Sequence, residues 1–228
     1  VDAASGTAKW SFATGSKVVS SPALSADGAT VYVGSWDGKL YAVDAASGTA
    51  VWSFATGDAV FSSPALSADG ATVYVGSDDA KLYAVDAASG TAVWSFATGG
   101  AVVSSPALSA DGATVYVGSG DGKLYAVDAA SGTAKWSFAT GNGVDSSPAL
   151  SADGATVYVG SWDAKLYAVD AASGTAVWSF ATGGVAGAGA VVTSPALSTD
   201  GATVYYGYFE GGMTTALDFD GKLYAVMA

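Results

Sequence analysis

Carboxylates are almost the only side chains in this sequence that could carry out chemistry. The 228 residues include 19 Asp and one Glu, and they include no His, Cys or Arg. The commonest general base, the thiol nucleophile, the Cys-based metal site and the forked phosphate ligand are therefore excluded. A set of nucleophile, base and orienting group needs His or Cys unless it is built on Lys. The sequence therefore predicts a protein that is not an enzyme.

Turn positions account for most of the Asp residues. An Asp in a turn accepts hydrogen bonds from nearby backbone N–H groups, so it needs no catalytic or metal-binding role. Examples are Asp27, Asp37, Asp44, Asp69 and Asp111. Residues 218–221 resemble part of a calcium loop, but they supply only two of the oxygen ligands that Ca²⁺ requires. We therefore expect no required metal ion and no redox cofactor, and the sequence leaves weak calcium binding open.

The net charge restricts the classes of partner. Eight Lys against 20 acidic residues give a net charge of −12, which repels nucleic acid and anionic lipid. No apolar run approaches the roughly 20 residues of a membrane helix, and no signal-peptide pattern opens the sequence. Nucleic acid and membrane insertion are therefore not expected, whereas protein or carbohydrate partners are compatible with the charge.

A repeat of 42 residues organises the chain. This interval separates the successive tryptophans Trp10, Trp52, Trp94, Trp136 and Trp178. The fifth unit departs from the period, because 5 extra residues precede Pro195 and 10 more precede Lys222. Periods of about 40 to 50 residues are typical of propellers and of helical solenoids, and the residue types decide between them.

Each unit contains four short segments with the composition of β-strands. They are rich in Val, Tyr, Phe and Trp, and Asp-Gly or Ser-Gly turns separate them. In the first complete unit they are residues 18–25, 31–35, 39–43 and 51–55. Residues 40–43 are apolar on both faces of the strand, so neighbouring sheets must cover both. Ala80 and Ala164 replace the Gly of one turn, which either avoids positive φ there or carries about 1 kcal/mol of strain.

These features predict an all-β fold, namely a five-bladed β-propeller of four-stranded antiparallel blades that forms a single domain over residues 1–228. Residues 8–14 match the fourth strand of a unit, and residues 222–226 match the third strand of the unit that lacks a fourth. Pairing these segments would close the ring within one chain and remove two open sheet edges, so we expect a monomer. An open array, and an open ring that dimerises into ten blades, are the alternatives.

The unit resembles the PQQ-like, or tryptophan-docking, propeller repeat over essentially the whole chain. The resemblance rests on the recurring segments SSPALS, VYVGS and KLYAVDA and on a motif made by Ala42, Asp44, Ser47, Gly48, Thr49 and Trp52. Ser47 and Thr49 stand where the family usually has Thr and Lys. The resemblance implies that the Trp of each unit docks against the neighbouring blade. The residues assigned to this structural role are Trp10, Trp52, Trp94, Trp136 and Trp178.

The same family includes quinone-dependent alcohol dehydrogenases and a periplasmic scaffold of outer-membrane assembly. The enzymes typically have eight blades, a calcium ion beside the quinone and paired Cys residues, whereas this sequence has five units and no Cys. The resemblance therefore favours a scaffold and a periplasmic or extracellular location. The near identity of the units indicates either a recent natural amplification or an engineered repeat protein.

Differences between the units are concentrated in two types of loop. They fall at Ser16, Lys17, Val19, Trp36 and Gly38 and at the equivalent positions, whereas the turns SADGAT and DAASGTA scarcely change. Because successive strands alternate in direction, both variable loops are expected on one face of the propeller. Both insertions of the fifth unit fall in the same two loop types.

We predict any binding site on this variable face, where the fourth, fifth and first blades would meet in a closed ring. The inserted residues would add aromatic side chains between Trp36 and Trp162. The predicted ligand- or partner-binding residues are Trp36, Asp37, Trp162, Asp163, Tyr208, Phe209, Met213 and Phe219. These side chains either pack on one another as a local lid or form an aromatic recognition patch.

The function predicted from the sequence is a non-catalytic scaffold that binds another protein, because diversified loops on a propeller are suited to contact and no catalytic group is visible. A carbohydrate-binding, lectin-like propeller is the alternative, favoured by Trp36 and Trp162 beside Asp37 and Asp163. A repeat protein with no specific ligand, whether recently amplified or engineered, is the third interpretation.

Overall fold

The structure, a computed structural model, describes residues 1–182, 189–191, 193–210 and 220–228. These residues form five antiparallel sheets and no helix, which confirms the prediction of an all-β fold built from repeated sheets. Each sheet is one blade, and the blades are numbered here in chain order. In blades 1 to 4 four strands lie side by side in sequence order, as predicted.

The strands have matching lengths in the first four blades. Blade 1 contains β1 (Ala23–Leu24), β2 (Thr30–Ser35), β3 (Lys39–Asp44) and β4 (Ala50–Ala55). Blade 2 contains β5 (Ala65–Leu66), β6 (Thr72–Ser77), β7 (Lys81–Asp86) and β8 (Ala92–Ala97). Blade 3 contains β9 (Ala107–Leu108), β10 (Thr114–Ser119), β11 (Lys123–Asp128) and β12 (Ala134–Ala139). Blade 4 contains β13 (Ala149–Leu150), β14 (Thr156–Ser161), β15 (Lys165–Asp170) and β16 (Ala176–Ala181). Blade 5 contains β17 (Gly189–Ala190), β18 (Ala196–Leu197), β19 (Thr203–Glu210) and β20 (Asp220–Met227).

The first strand of each blade is shorter than the sequence predicts. In blade 1 only Ala23 and Leu24 pair with β2. Pro22 has no N–H group to donate to β2. Before Pro22, the Ser20 hydroxyl forms the hydrogen bonds to the β2 backbone that a longer strand would form with its own backbone. Its Oγ accepts from the Gly34 N–H at 2.8 Å and donates to the Gly34 carbonyl at 3.2 Å. The segment therefore lies along β2 through a side chain instead of a continuous ladder.

Hydrophobic cores fill the junctions between successive blades. Leu40 and Ala42 of blade 1 pack there against Val60, Val73 and Val75 of blade 2, and all five are buried. Equivalent clusters join blades 2 and 3, blades 3 and 4, and blades 4 and 5. Blades 2, 3 and 4 are covered on both faces by their neighbours, which explains why their central strands are apolar on both faces.

Four of the five repeat tryptophans lie on the blade that follows. The Trp52 Nε1–H donates to the Ala87 carbonyl of blade 2 at 2.9 Å. The same bond, at 2.9 to 3.0 Å, joins Trp10 to Ala45, Trp94 to Ala129 and Trp136 to Ala171. Trp178 packs against Tyr158 with 5.8 Å between ring centroids, in the core between blades 4 and 5. Four tryptophans therefore donate to a carbonyl of the following blade, namely Trp10, Trp52, Trp94 and Trp136. Tyr158 belongs to the same blade as Trp178, so the docking of Trp178 on blade 5 stays a prediction.

Blade 5 is three strands wide. β17 and β18 pair with opposite ends of β19 along one side, and β20 pairs along the other. β19 and β20 each have eight residues, two more than β2 and β3. The second insertion therefore begins by lengthening this hairpin, and its residues 211–219 lie outside the described part of the chain.

The structure does not show the predicted closure of the ring. Residues 8–14 form no strand and lie on blade 1, where Trp10 bonds to Ala45. After four junctions, the described residues of blades 1 and 5 share no hydrophobic cluster. Among the described residues, the five blades therefore form a series joined by four junctions, which we call the arc.

Ala80 and Ala164 adopt the left-handed conformation that Gly38 and Gly122 have in the other blades. Their φ angles are 66° and 65°. Of the two outcomes that the sequence left open, the structure shows the strained one. An Ala in this region costs about 1 kcal/mol or more relative to a relaxed backbone.

Candidate binding surface on the loop face

The two variable loop types are adjacent in the structure. The Trp36 N–H donates to the Lys17 carbonyl at 2.9 Å, which joins the β2–β3 turn to the connection that precedes β1. At the other end of the strands, the Ala45 N–H donates to the Ala29 carbonyl at 2.9 Å and joins the two constant turns. We call the variable side the loop face. It comprises residues 15–19 and 36–38 and their equivalents in the other blades.

Asp37 and its equivalents fasten the loop face to the framework. The Asp37 Oδ2 accepts hydrogen bonds from the Gly15 N–H at 2.6 Å and the Tyr41 hydroxyl at 2.7 Å. Its Oδ1 accepts from the Lys39 N–H at 3.1 Å. Asp79, Asp121 and Asp163 make the corresponding bonds to Gly57, Gly99 and Gly141. The sequence suggested Asp37 and Asp163 as ligand-binding groups, whereas both carboxylates already hold backbone and tyrosine groups.

These hydrogen bonds set the protonation of the Asp37–Tyr41 pair. Burial alone would raise the pKa of Asp37, but the hydrogen bonds from Tyr41, Gly15, Ser35 and Lys39 hold that pKa below its usual value. Burial and the hydrogen bond to the Asp37 carboxylate raise the pKa of Tyr41 to about 12. Asp37 is therefore charged and Tyr41 protonated at neutral pH, which makes the pair a fixed structural contact.

An aromatic patch crosses the junction between blades 1 and 2. The rings of Trp36 and Phe61 have centroids 4.9 Å apart, and the Lys17 Nζ lies 4.7 Å from the Trp36 centroid. Trp36 nevertheless remains 38% exposed. We call these three side chains the Trp36 patch. The sequence did not reveal the role of Phe61. Its signal was the change from Val19 to Phe at the equivalent position of the second unit.

A cleft of about 240 Å³ adjoins the Trp36 patch. It is lined by Trp36, Asp37, Gly38, Thr56, Gly57, Asp58 and Ala59. The equivalent cleft of blade 3 is about 270 Å³ and has Gly120 where the first has Trp36. The cleft of blade 1 is therefore lined by both an exposed Trp and an Asp. The same backbone accommodates Gly at the Trp position in blade 3.

Larger clefts, of about 360 and 330 Å³, lie on the opposite face between the constant turns. Their linings repeat from one junction to the next, with Tyr32 and Asp69 in the first replaced by Tyr74 and Asp111 in the second. The Asp69 Oδ1 accepts from the Ser67 hydroxyl at 2.6 Å and the Ala71 N–H at 3.0 Å. Turn geometry accounts for these residues, so we place the candidate site on the loop face.

Trp162 has different neighbours from Trp36. Its Nε1–H donates to the Asp145 Oδ2 at 2.8 Å, its backbone N–H donates to Gly143, and its side chain is 39% exposed. The contacts of the two tryptophans thus belong to separate parts of the arc. The expectation that Trp36 and Trp162 flank one site depended on a closed ring, which the structure does not show, so it stays a prediction.

Asp78 occupies the position of Trp36 in blade 2. Its Oδ1 is buried without a hydrogen-bond partner among the described residues. Burial raises the pKa of Asp78, and the charges of Asp58, Asp145 and Asp79 raise it further. Negative charge is therefore concentrated on the part of the loop face between Trp36 and Trp162.

The predicted binding residues of blade 5 are only partly described. Tyr208 is buried in the core between blades 4 and 5, and its ring lies edge-on to Tyr224 with centroids 6.2 Å apart. The prediction that Tyr208 belongs to an exposed patch is therefore wrong, because Tyr208 is the equivalent of Ser35, a position that is buried in blades 1 to 4 as well. The Phe209 side chain, Met213 and Phe219 lie outside the described residues.

The described residues contain no group of three or more acidic side chains arranged to hold a metal ion. In the same part of the chain, no helix has the length and apolar character of a membrane span.

Comparisons with known proteins agree with this architecture. A family model described as outer membrane protein assembly factor BamB matches residues 1–110 and 37–223. The crystal structure of BamB from Moraxella catarrhalis aligns with a TM-score of 0.66 and 22% identity, over 83% of this chain and 56% of that chain. The present chain thus spans little more than half of that protein. A search of curated proteins returned no match. The extent of the family match confirms the PQQ-like resemblance: the chain belongs to the family of the outer membrane protein assembly factor BamB.

Proposed function

We propose that the chain is a non-catalytic scaffold that binds another protein through the loop face, with the Trp36 patch as the main apolar contact. The observation that carries this proposal is the exposed Trp36 ring, which packs between Lys17 and Phe61 beside the cleft that contains Asp58. An exposed indole with an adjacent carboxylate suits a partner segment that combines apolar and basic side chains.

The repeat supplies the argument that Trp36 is not required by the framework. Blade 3 has the same strands and the same Asp-Tyr contact with Gly120 in place of Trp36. Blade 2 has Asp78 there, with a buried oxygen that has no partner. The framework therefore does not require a particular side chain at this position. A side chain that the framework does not require can contact a partner, which favours a binding role for Trp36.

The charge of the molecule indicates the chemistry of the partner. The net charge is −12. On the loop face, Asp58 and Asp145 lie close enough to Asp78 to raise the pKa of its carboxyl group. A basic partner would be attracted at a distance and would neutralise this repulsion on binding. The family description supports a place in outer-membrane protein assembly and hence a periplasmic location. We also propose that residues 1–228 form a single domain and that this domain requires no cofactor.

Binding of short synthetic peptides tests the proposal. Peptides in which Lys alternates with Leu and Trp are compared by calorimetry with the same peptides carrying Glu in place of Lys. We expect the Lys series to bind, more weakly as salt is added. Trp36→Gly should reduce the affinity at least about 30-fold, which is typical for a Trp anchor. Trp162→Gly removes an equally exposed Trp from the same loop type and is the matched control. Equal binding of both series, or normal binding by Trp36→Gly, would contradict the proposal.

A carbohydrate ligand is the second candidate. It is favoured by the exposed rings of Trp36 and Trp162, because each has a carboxylate nearby, Asp58 in the cleft and Asp145 at the indole N–H. Aromatic rings beside carboxylates suit stacking and hydrogen bonding to sugars. A glycan array distinguishes the two functions, since binding to a neutral sugar depends little on salt whereas binding to a basic peptide falls steeply with it.

A further inference from the structure

Every junction between described blades contains the same contact between a Val and a Gly. Val60 of blade 2 inserts against Gly34 of blade 1, where a Cβ on the glycine would collide with the Val side chain. The Val60 N–H donates to the Ser35 carbonyl at 3.0 Å. The pairs at the other junctions are Val102 with Gly76, Val144 with Gly118, and Val191 with Gly160. The four Val side chains are completely buried.

The outer face of blade 5 has the glycine of such a junction, but no Val of a following blade packs against it. Gly207 is the equivalent of Gly34, and the atoms nearest to a Cβ built on it belong to Thr193 of the same blade. Leu223 is 78% exposed, whereas its equivalents Leu40, Leu82, Leu124 and Leu166 are completely buried. Tyr205 is 41% exposed, whereas Tyr32 and its other equivalents are buried. This face is therefore built for a following blade.

Blade 1 presents the complementary half. Val18 is the equivalent of Val60 and is 47% exposed instead of buried. Residues 8–14 already lie where the fourth strand of a preceding blade belongs. Phe12 packs edge-on against Tyr41 with centroids 5.4 Å apart, as Phe54 packs against Tyr83 at 5.3 Å. What this side lacks is a blade that supplies a Gly, a Leu and a Tyr.

We propose that the two faces bind each other between copies of this chain, so that residues 8–14 of one copy complete blade 5 of a second copy. The existing ladders fix the register. Ala42 pairs with Trp52 and Leu40 with Phe54, so Ala225 of one copy would pair with Trp10 of the other, and Leu223 with Phe12. Val18 would then enter the space at Gly207, and two exposed apolar surfaces would become a fifth junction.

The geometry favours a second copy over closure within one chain. Closure within one chain would need a fifth junction, which the described residues of blades 1 and 5 do not form. Each of the four junctions already holds a fully buried Val and a close backbone hydrogen bond, and close-packed interiors do not deform gradually. Head-to-tail contact keeps all four junctions as they are and extends the arc. The expectation of a monomer rested on closure within one chain, and the unpaired faces replace it with association.

The net charge predicts how this association depends on conditions. Each copy carries a net charge of −12, so two copies repel each other at low ionic strength. The contact itself is apolar and removes exposed Val, Leu and Tyr surface from water. Added salt should therefore strengthen the association, which is the opposite of its effect on a basic partner at the loop face.

Light scattering and sedimentation of the 228-residue chain test the proposal through two face variants. Val18→Lys blocks the face of blade 1 and leaves blade 5 intact, whereas Leu223→Lys does the reverse. We expect the unaltered chain to exceed the mass of one copy. Either variant alone should stay monomeric, with its dissociation constant raised at least about 30-fold. An equimolar mixture of the two should form a dimer, because one intact junction remains between them.

Val51→Lys is the matched control. It introduces the same charge at an exposed position away from both faces, where blade 3 already has Lys135. It should associate like the unaltered chain, and all variants should keep its circular dichroism spectrum. A single-copy mass for the unaltered chain at every concentration, a mixture that stays monomeric, or a Val51→Lys chain that dissociates as the face variants do would each overturn the proposal.

Discussion

The ring of Trp52 covers Gly90 of the next blade so closely that a Cβ on this glycine would lie 2.6 Å from the Cδ2 of the indole. Gly90 also has a φ of +71°. Trp10, Trp94 and Trp136 cover Gly48, Gly132 and Gly174 in the same way. The docking of these four tryptophans therefore depends on a glycine that is required twice, once by the backbone conformation and once by the space under the ring.

Gly90→Ala should destabilise the protein by more than the backbone conformation alone explains. Gly70 has the same φ of +71° and no atom within 4 Å of a Cβ, so Gly70→Ala carries only the conformational cost of about 1 to 2 kcal/mol. Gly90→Ala must also displace Trp52. Urea unfolding of both variants gives the difference in the free energy of unfolding. Equal losses would mean that the docking contact contributes nothing.

Ala80→Gly and Ala164→Gly should each stabilise the protein. Both alanines have the left-handed conformation that Gly38 adopts in blade 1, so the change removes strain of about 1 kcal/mol, partly offset by the greater freedom of Gly in the unfolded chain. Thermal unfolding measures the gain. The reverse change, Gly38→Ala, is the control and should destabilise. A loss of stability in Ala80→Gly would show that this turn is relaxed in solution.

The tyrosines that bond to the loop-face carboxylates should resist titration. The pKa of Tyr41 is raised to about 12 from its usual 10. A raised pKa in the folded state gives stability that is complete below pH 10 and is lost as the pH rises towards 12. We expect tyrosinate absorbance to appear late and unfolding to accompany it. Tyr41→Phe should lower stability by about 1 kcal/mol at neutral pH and should remove part of the alkaline loss. A native chain in which all tyrosines titrate near pH 10 would contradict the Asp37–Tyr41 contact.

Asp78→Asn should stabilise the protein at neutral pH. Burial and neighbouring carboxylates raise the pKa of Asp78 above its usual 3.8, so the charged form is disfavoured in the folded state. When Asp78 is neutral, below pH 3.8, the folded protein carries no penalty from a buried charge. This stability is lost as the pH rises through the raised pKa and Asp78 becomes charged. The gain from Asn, which stays neutral, should therefore disappear on acidification. Asp27→Asn is the control. The Ser25 hydrogen bond lowers the pKa of Asp27, so this change should not stabilise. A gain at Asp78 that persists in acid would rule out the charge as its cause.

The double variant Trp36→Ala with Trp162→Ala should keep the fold. Both side chains are partly exposed, and the principal loss is the ring contact between Trp36 and Phe61, worth about 0.5 to 1.5 kcal/mol. Cooperative thermal unfolding near the temperature of the unaltered chain is the expected result. Loss of the cooperative transition would show that the tryptophans hold the framework together and would favour the local lid over a recognition patch.

The sequence predicted the blade framework because its signals are local and repeat in every unit. The Asp-Gly and Ser-Gly turns, the Trp interval and the doubly apolar strands each correspond to a strand, a turn or a junction in the structure. The length of the first strand was overestimated because the Ser20 hydroxyl replaces ladder bonds, and no composition pattern shows that replacement.

The loop face was predicted less completely, because its contacts cross between units. The pairing of Trp36 with Phe61 joins residues of different blades, and the use of Asp37 to hold Gly15 joins positions 22 residues apart. The expected meeting of Trp36 and Trp162 depends on a global property of the fold. Whether five blades close depends on the rotation at each junction, which no single repeat displays.

Hydrogen exchange with and without a bound Lys-Leu-Trp peptide tests the central claim that the loop face is the binding surface. We predict new protection of the amides around Trp36 and in residues 56–61, with none in the constant turns around Asp27 and Asp69. Protection confined to those constant turns, where the larger clefts lie, would contradict the account.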